Sequence, residues 1–146
     1  MATVTISDAT QVRLLQGSIV TSHICNDAAK LGRVVYAGTS NKVYLAAADN
    51  NYTATAKLGL IVAGGSEDKS GNVAAGEQVA VLWFGRATLG SGVTLATTTN
   101  YYLSNAVSTV KGLIGDAAGT ISRRLFHAET TTTLFWNPQD MAYASS

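Results

Sequence analysis

The sequence is poor in the residues that most strongly constrain a small protein. Its 146 residues include one cysteine and one proline, and only 13% are charged, about half the quarter that is usual in soluble domains. A single cysteine, Cys25, excludes an internal disulfide framework. Stability must therefore come from packing, and so thinly charged a surface suits a protein that packs against neighbours.

An excess of charge of one sign is absent too. Ten Lys and Arg against nine Asp and Glu leave a net charge of +1, so no field attracts nucleic acid or anionic lipid. No apolar run approaches the roughly 18 residues that a membrane-spanning helix needs, and residues 1–8 lack the layout of a signal peptide. We expect a protein that is made and assembled in a cytoplasm, with no direct nucleic-acid or membrane partner.

The residues that are plentiful favour β structure. Fourteen glycines, many threonines and valines, and six tyrosines form short apolar segments separated by glycine turns at intervals of about eight to twelve residues. This pattern predicts an all-β, single-domain antiparallel β-sandwich or β-barrel with glycine-rich turns. Residues 32–146 form that domain. Residues 1–31 are either its opening strands or an N-terminal arm that adds to the sheet edge of another subunit.

One stretch, residues 76–86, organises the rest of the prediction. It is apolar, rich in β-branched and aromatic residues, and bounded by Gly76 and Gly85, so it is predicted to be a strand that ends at Gly85. Both faces of this strand are apolar, and both should therefore be covered. We expect one cover from a second sheet of this chain and the other from a sister subunit. The two faces carry Val79, Val81 and Trp83, and Ala80, Leu82 and Phe84.

No motif of catalysis or ligand binding emerges. There is no Gly-x-Ser-x-Gly elbow, and the two histidines, His23 and His127, lie in apolar strand-like segments. His23 and Cys25 would share one face of a strand, but a closed zinc site needs four ligands. The glycine-rich turns lack the residues that follow in a phosphate loop. We therefore expect no catalytic, cofactor-binding or metal site, no cofactor, and no enzymatic activity.

The candidate functional residues are those that could meet another subunit or a partner. They are apolar residues near the N-terminus, the surplus face of the central strand, and two adjacent arginines that a strand would point in opposite directions. Either one guanidinium is buried and bound to carboxylates or carbonyls, favoured at interfaces, or both are solvated edge residues. The candidates are Val4, Ile6, Leu14, Leu15, Leu82, Phe84, Arg123 and Arg124.

A series of short phrases between residues 32 and 138 resembles a known class. The phrases are Gly-x-Val-Val-Tyr (32–36), Lys-Val-Tyr-Leu-Ala (42–46), Ala-Lys-Leu-Gly-Leu-Ile-Val (56–62), Ala-Gly-Glu-Gln-Val-Ala-Val-Leu-Trp-Phe-Gly (75–85), Asn-Tyr-Tyr-Leu-Ser (100–104) and Thr-Leu-Phe-Trp-Asn-Pro (133–138). In this order they resemble small β-rich virion proteins of tailed bacteriophages, particularly capsid decoration or cement proteins. Residues 1–31 have no counterpart in the resemblance.

The resemblance implies a non-enzymatic structural protein on the outer surface of a phage capsid. Such a protein, often a homotrimer, would bind the major capsid protein and stabilise the shell against internal DNA pressure. An alternative is a receptor- or glycan-binding β-module of a phage tail or fibre, which would use exposed aromatic rings as stacking platforms. The candidate rings are Tyr36, Tyr44, Tyr52, Tyr101, Tyr102 and Trp136.

Overall fold

The computed structural model describes residues 3–49, 56–65 and 69–139, together with the backbone of residues 143–144. The described residues are strands and loops with one short helical turn, which confirms the all-β prediction. A single 3-10 turn, Ala9–Gln11, is capped by the Asp8 side chain, which accepts from the Thr10 amide. The strands are β1 (Arg13–Leu14), β2 (Ile19–Cys25), β3 (Ala29–Lys30), β4 (Val34–Ala37), β5 (Lys42–Leu45), β6 (Leu58–Gly64), β7 (Asn72–Val73), β8 (Gln78–Thr88), β9 (Asn100–Leu103), β10 (Ile114–Gly115), β11 (Ile121–Ser122), β12 (Arg124–Ala128), β13 (Thr133–Trp136) and β14 (Tyr143–Ala144).

Five strands close into a barrel. They follow the order β8, β2, β5, β4, β6, and β6 pairs with β8 to complete the circle. The β2–β5 pair is parallel and the other four are antiparallel. Strands β4 and β5 form a hairpin, and its tip carries positive φ angles at Ser40 and Asn41. The domain is therefore a β-barrel with additional strands.

A second group of strands extends from the same β8. Beyond the barrel β8 pairs with β13, which is followed by β12, β9 and β10, while β1 pairs with the end of β8. At the far edge, Thr3 forms a bridge with Gly115, and the Val4 amide donates to the Ile114 carbonyl at 2.8 Å. The N-terminal residues thus cover β10 within their own chain, and residues 19–31 supply β2 and β3.

A bulge in β8 separates its two roles. Ile19 of β2 lies opposite Phe84, yet Val20 lies opposite Leu82, so Trp83 is one residue more than β2 can match. A bulge of this kind bends a strand and re-aims its side chains. As a result, Leu82 before the bulge and Ala87 after it face the same core, although one position is even and the other odd.

Two apolar cores lie on opposite faces of β8. The smaller one fills the barrel and consists of Cys25, Val35, Val43, Ile61, Val73, Val79 and Val81. The larger one lies between the outer face of the barrel and the second group of strands, and it includes Leu60, Leu82, Leu125 and Trp136. The indole Nε1 of Trp136 donates to the Leu58 carbonyl at 3.3 Å and so joins the two halves.

The structure confirms part of the prediction for residues 76–86 and corrects the rest. The strand is covered on both faces, as expected, but Leu82 is fully buried by residues of its own chain. Its expected contact with a sister subunit is therefore wrong. Gly85 does not end the strand, which continues to Thr88. Gly85 has a φ of +124°, and because it lacks a side chain, β8 can pass close to Ser18 in the turn that precedes β2.

Candidate binding site at the mouth of the barrel

One end of the barrel opens into a concavity of about 350 Å³. Thr21, His23 and Trp83 contribute inward-facing side chains from β2 and β8, and Ala37 ends β4 beside them. Lys57, which precedes β6, adds a cationic side chain at the entrance. Barrel mouths are recurrent ligand sites because several strands deliver side chains to one concave surface. This mouth is therefore the candidate functional site.

The Trp83 ring is held in place by its neighbours. A side-chain carbon at Gly59 would lie 2.9 Å from two atoms of the indole, so the absence of a side chain there makes room for the ring. The indole Nε1 donates to Thr21 Oγ1 at 2.6 Å. The His23 ring meets the indole edge-on, with centroids 5.6 Å apart. Trp83 is therefore a fixed, half-buried ring at the entrance.

Thr21 also lies next to the imidazole of His23. Its Oγ1 is 2.6 Å from His23 Nε2, a distance at which a hydroxyl can be paired with a base. Catalysis of that kind also needs a third group that orients the base, whereas His23 Nδ1 is buried without a hydrogen-bond partner among the described residues. The Thr21 oxygen accepts the indole N–H as well, which reduces its nucleophilicity. The arrangement suits binding better than covalent chemistry.

An apolar surface, which we call the rim, borders the mouth. It consists of Ile19, Phe84 and Phe135: Ile19 and Phe84 are cross-strand partners that are 58% and 41% exposed, and Phe84 meets Phe135 edge-on at 5.2 Å. The Arg86 guanidinium lies 5.6 Å from the centre of the Phe135 ring and forms an ion pair with Glu129 at 2.9 Å. The rim is thus an exposed aromatic and aliphatic surface with a charged border.

The predicted interface residues fall into three groups. Phe84, Leu14, Leu15 and Arg124 are exposed, and Leu15 lies beside β8, since its amide donates to the Arg86 carbonyl. Val4 and Ile6 are half-buried against the larger core. Leu82 and Arg123 are buried.

Arg123 and Arg124 do point in opposite directions, as predicted. Arg123 is only 3% exposed, and its Nη1 donates to the Ala56 carbonyl of the same chain at 2.8 Å. The first of the two alternatives therefore holds: one guanidinium, that of Arg123, is buried and bound to a carbonyl, which belongs to its own chain and not to a partner. Only Arg124 remains available to a partner.

Most of the aromatic rings predicted to stack on a ligand are buried, or are half-buried against other residues. Trp136 and Tyr101 are buried in the larger core, and the half-buried rings of Tyr36 and Tyr44 stack on each other at 5.6 Å. Tyr102 is half-buried, and Tyr52 lies outside the described residues. The aromatic ring that does line a concave site is that of Trp83. It is not among the predicted platforms, because its position in an apolar strand pattern indicated only that it is buried.

Nothing in the described residues indicates a metal site or a membrane span. They contain no cluster of three or more potential metal ligands, and Cys25 is fully buried in the barrel, where burial raises the pKa of its thiol. The described helical turn is too short to cross a bilayer. Comparison of the chain with protein-family models, with curated proteins and with solved structures finds no match.

The two tryptophans provide a direct test of the mouth. Trp83→Phe leaves only Trp136, which is fully buried, so quenching of the remaining fluorescence by acrylamide is expected to fall severalfold relative to the wild-type protein. Thermal unfolding of the same variant controls for loss of structure, because a Phe side chain can occupy the space over Gly59. Unchanged quenching in a folded variant would mean that Trp83 is not accessible at the mouth.

Proposed function

We propose that the chain is a non-enzymatic structural protein that binds the outer surface of a phage capsid and stabilises the shell. The observation that carries this proposal is the rim, where the exposed side chains of Ile19 and Phe84 are held by two hydrogen-bonded barrel strands. An apolar surface fixed on rigid strands loses little conformational entropy on binding. It is suited to permanent assembly.

The composition of the rim is suited to the central part of a larger interface. A stable interface buries roughly 800 Å² on each partner, and a few aromatic and aliphatic residues at its centre supply most of the affinity. Ile19, Phe84 and Phe135 would be this centre, and Leu14, Leu15 and Arg124 are exposed residues that could extend it. The partners in this proposal are the major capsid protein and two further copies of the chain in a homotrimer, and the location is the virion.

Repetition over a capsid strengthens weak contacts. A trimer that binds three equivalent positions gains avidity because its second and third contacts form within the same complex. The low charge of the chain, 13% of residues, is consistent with surfaces that are buried in an assembly.

The proposal is tested on particles from which the chain has been deleted. Adding back the wild-type protein is expected to restore resistance of the capsid to heat, whereas Ile19→Asp should bind poorly and restore little. Val107→Asp is the matched control, since Val107 is 54% exposed, close to the 58% of Ile19, but lies in a loop away from the mouth. Capsids that are equally heat-resistant with and without the chain would contradict the proposal.

A second candidate function is the receptor- or glycan-binding module of a tail or fibre. It is favoured by Trp83 at the mouth, because sugars stack on indole rings while Thr21 and Lys57 could bind hydroxyl groups. The same deleted particles separate the two functions. In this second role they would keep their heat resistance and lose attachment to host cells.

A further inference from the structure

The opposite end of the barrel holds a second concavity of about 410 Å³. It lies beyond the ends of β2 and β5, where the chain continues into β3, and the loop that precedes β10 closes it on one side. Its lining combines three cationic side chains with a small apolar floor. The lining residues are Ala28, Ala29, Lys30, Arg33, Leu45, Asn72, Val73, Thr109, Val110 and Lys111.

The cationic side chains have no described acidic partner. Lys30, Arg33 and Lys111 all line this cleft, and no aspartate or glutamate does. Within residues 3–49, 56–65 and 69–139 the ion pair found is Arg86 with Glu129, in another part of the molecule. Asp27, the acidic residue nearest to the cleft in sequence, accepts instead from the Leu45 amide and the Asn26 side chain.

The lack of a described acidic partner is most unfavourable for Arg33. It is half-buried, and its Nη1 donates to the Lys111 carbonyl at 3.3 Å. Burial lowers the pKa of Arg33, but a guanidinium stays charged at neutral pH. A partly desolvated charge that no carboxylate compensates is stabilised when an anion binds.

The floor of the cleft distinguishes among possible anions. Leu45 is half-buried and Val110 is 41% exposed, so a ligand that enters the cleft meets apolar surface. The lining contains no aromatic residue, and single-stranded nucleic acids are held largely by base stacking on aromatic rings. A ligand with carboxylates and an aliphatic side chain matches both the cationic side chains and the apolar part of the cleft lining.

We propose that this cleft binds an acidic peptide segment of a partner protein, with its carboxylates on Lys30, Arg33 and Lys111 and an aliphatic side chain against Leu45 and Val110. The proposal does not rest on the capsid role, because the cleft and the rim lie at opposite ends of the barrel. The cleft would be a second contact that selects partners by charge, whereas the rim selects them by apolar shape.

The test uses the full chain and a short fluorescein-labelled peptide that alternates glutamate and leucine. Fluorescence anisotropy is expected to show binding that weakens as salt is added, because added ions screen the charges. Arg33→Gln and Lys111→Gln should each weaken binding about tenfold, the effect of losing one charge-assisted hydrogen bond. Lys42→Gln, which changes the same charge outside the cleft, should bind as the wild-type protein does.

Two further arms make the result decisive. The same peptide with glutamine in place of glutamate, and a short oligothymidylate, are both expected to bind at least tenfold more weakly than the acidic peptide. Because Lys111 is exposed, Lys111→Gln reports on binding even if Arg33→Gln disturbs folding. Equal binding by the glutamine peptide, tighter binding by the oligothymidylate, no binding of the acidic peptide, or wild-type affinity of Lys111→Gln would each overturn the proposal.

Discussion

Leu82→Asp is expected to prevent folding, whereas Phe84→Asp is expected to fold and, under the proposed function, to lose binding to the capsid. Leu82 is fully buried against the larger core. An unpaired carboxylate there costs about 4 kcal/mol or more, a large part of the 5 to 15 kcal/mol that stabilises an ordinary domain. Phe84 is 41% exposed, and losing its edge-on contact with Phe135 costs about 1 kcal/mol.

Urea unfolding and binding to capsids that lack the chain separate the two effects. Leu82→Met is the control for the buried position, since it keeps the volume and introduces no charge, and it should lose less than about 1.5 kcal/mol. Phe84→Asp should show a near-normal unfolding midpoint together with a loss of capsid binding. If the Phe84 variant bound capsids normally, the rim would not be the docking surface.

Gly85→Ala is expected to destabilise the protein by about 3 kcal/mol or more, from two sources that add. The first is backbone strain, because a φ of +124° costs about 1 to 3 kcal/mol for a residue with a side chain. The second is steric, because the new carbon would lie 2.6 Å from the Ser18 Cα atom. Ser18 has little freedom to move, since its Oγ lies within hydrogen-bond distance of the carbonyl oxygens of Leu15 and Arg86, at 2.8 and 2.9 Å, and its one proton is shared between them.

Gly76→Ala separates the contribution of backbone strain from that of the steric contact. Gly76 also has a positive φ, +89°, but a side-chain carbon there would meet nothing within 4 Å, so this variant should lose only about 1 to 2 kcal/mol from strain. The free energy of unfolding in urea measures both variants. Equal losses at the two glycines would show that the approach of Ser18 to β8 does not matter for stability.

The sequence allowed the fold class and the central strand to be predicted, because both depend on local patterns. Residues 79–84 alternate between two apolar faces, and an apolar face on each side of a strand requires cover on each side. The source of that cover was not predictable. Leu82 is covered by strands that follow it by some fifty residues, such as β12 and β13, and no local pattern specifies which strands pair.

Predicting the candidate site would have required even more knowledge of which distant strands pair. Trp83, Thr21 and His23 meet because β2 pairs with β8 in one register and because a bulge adds one residue at Trp83. A shift of one residue would turn these side chains to the other face. The prediction that Gly85 ends the strand failed because the role of this glycine also depends on a distant residue. Gly85 lies against Ser18, and nothing in the sequence shows that the two residues are neighbours.

The closed barrel also determines how an exposed apolar rim can be tolerated. Unpaired strand edges are the usual route by which β-proteins aggregate, since their free N–H and C=O groups accept any passing strand. Here β6 pairs with β8, and Thr3 and Val4 cover β10, so backbone recruitment is blocked at these places. Any association at the rim must then depend on contacts between side chains. Side chains discriminate between partners by shape and charge, whereas the backbone groups of an unpaired strand edge do not.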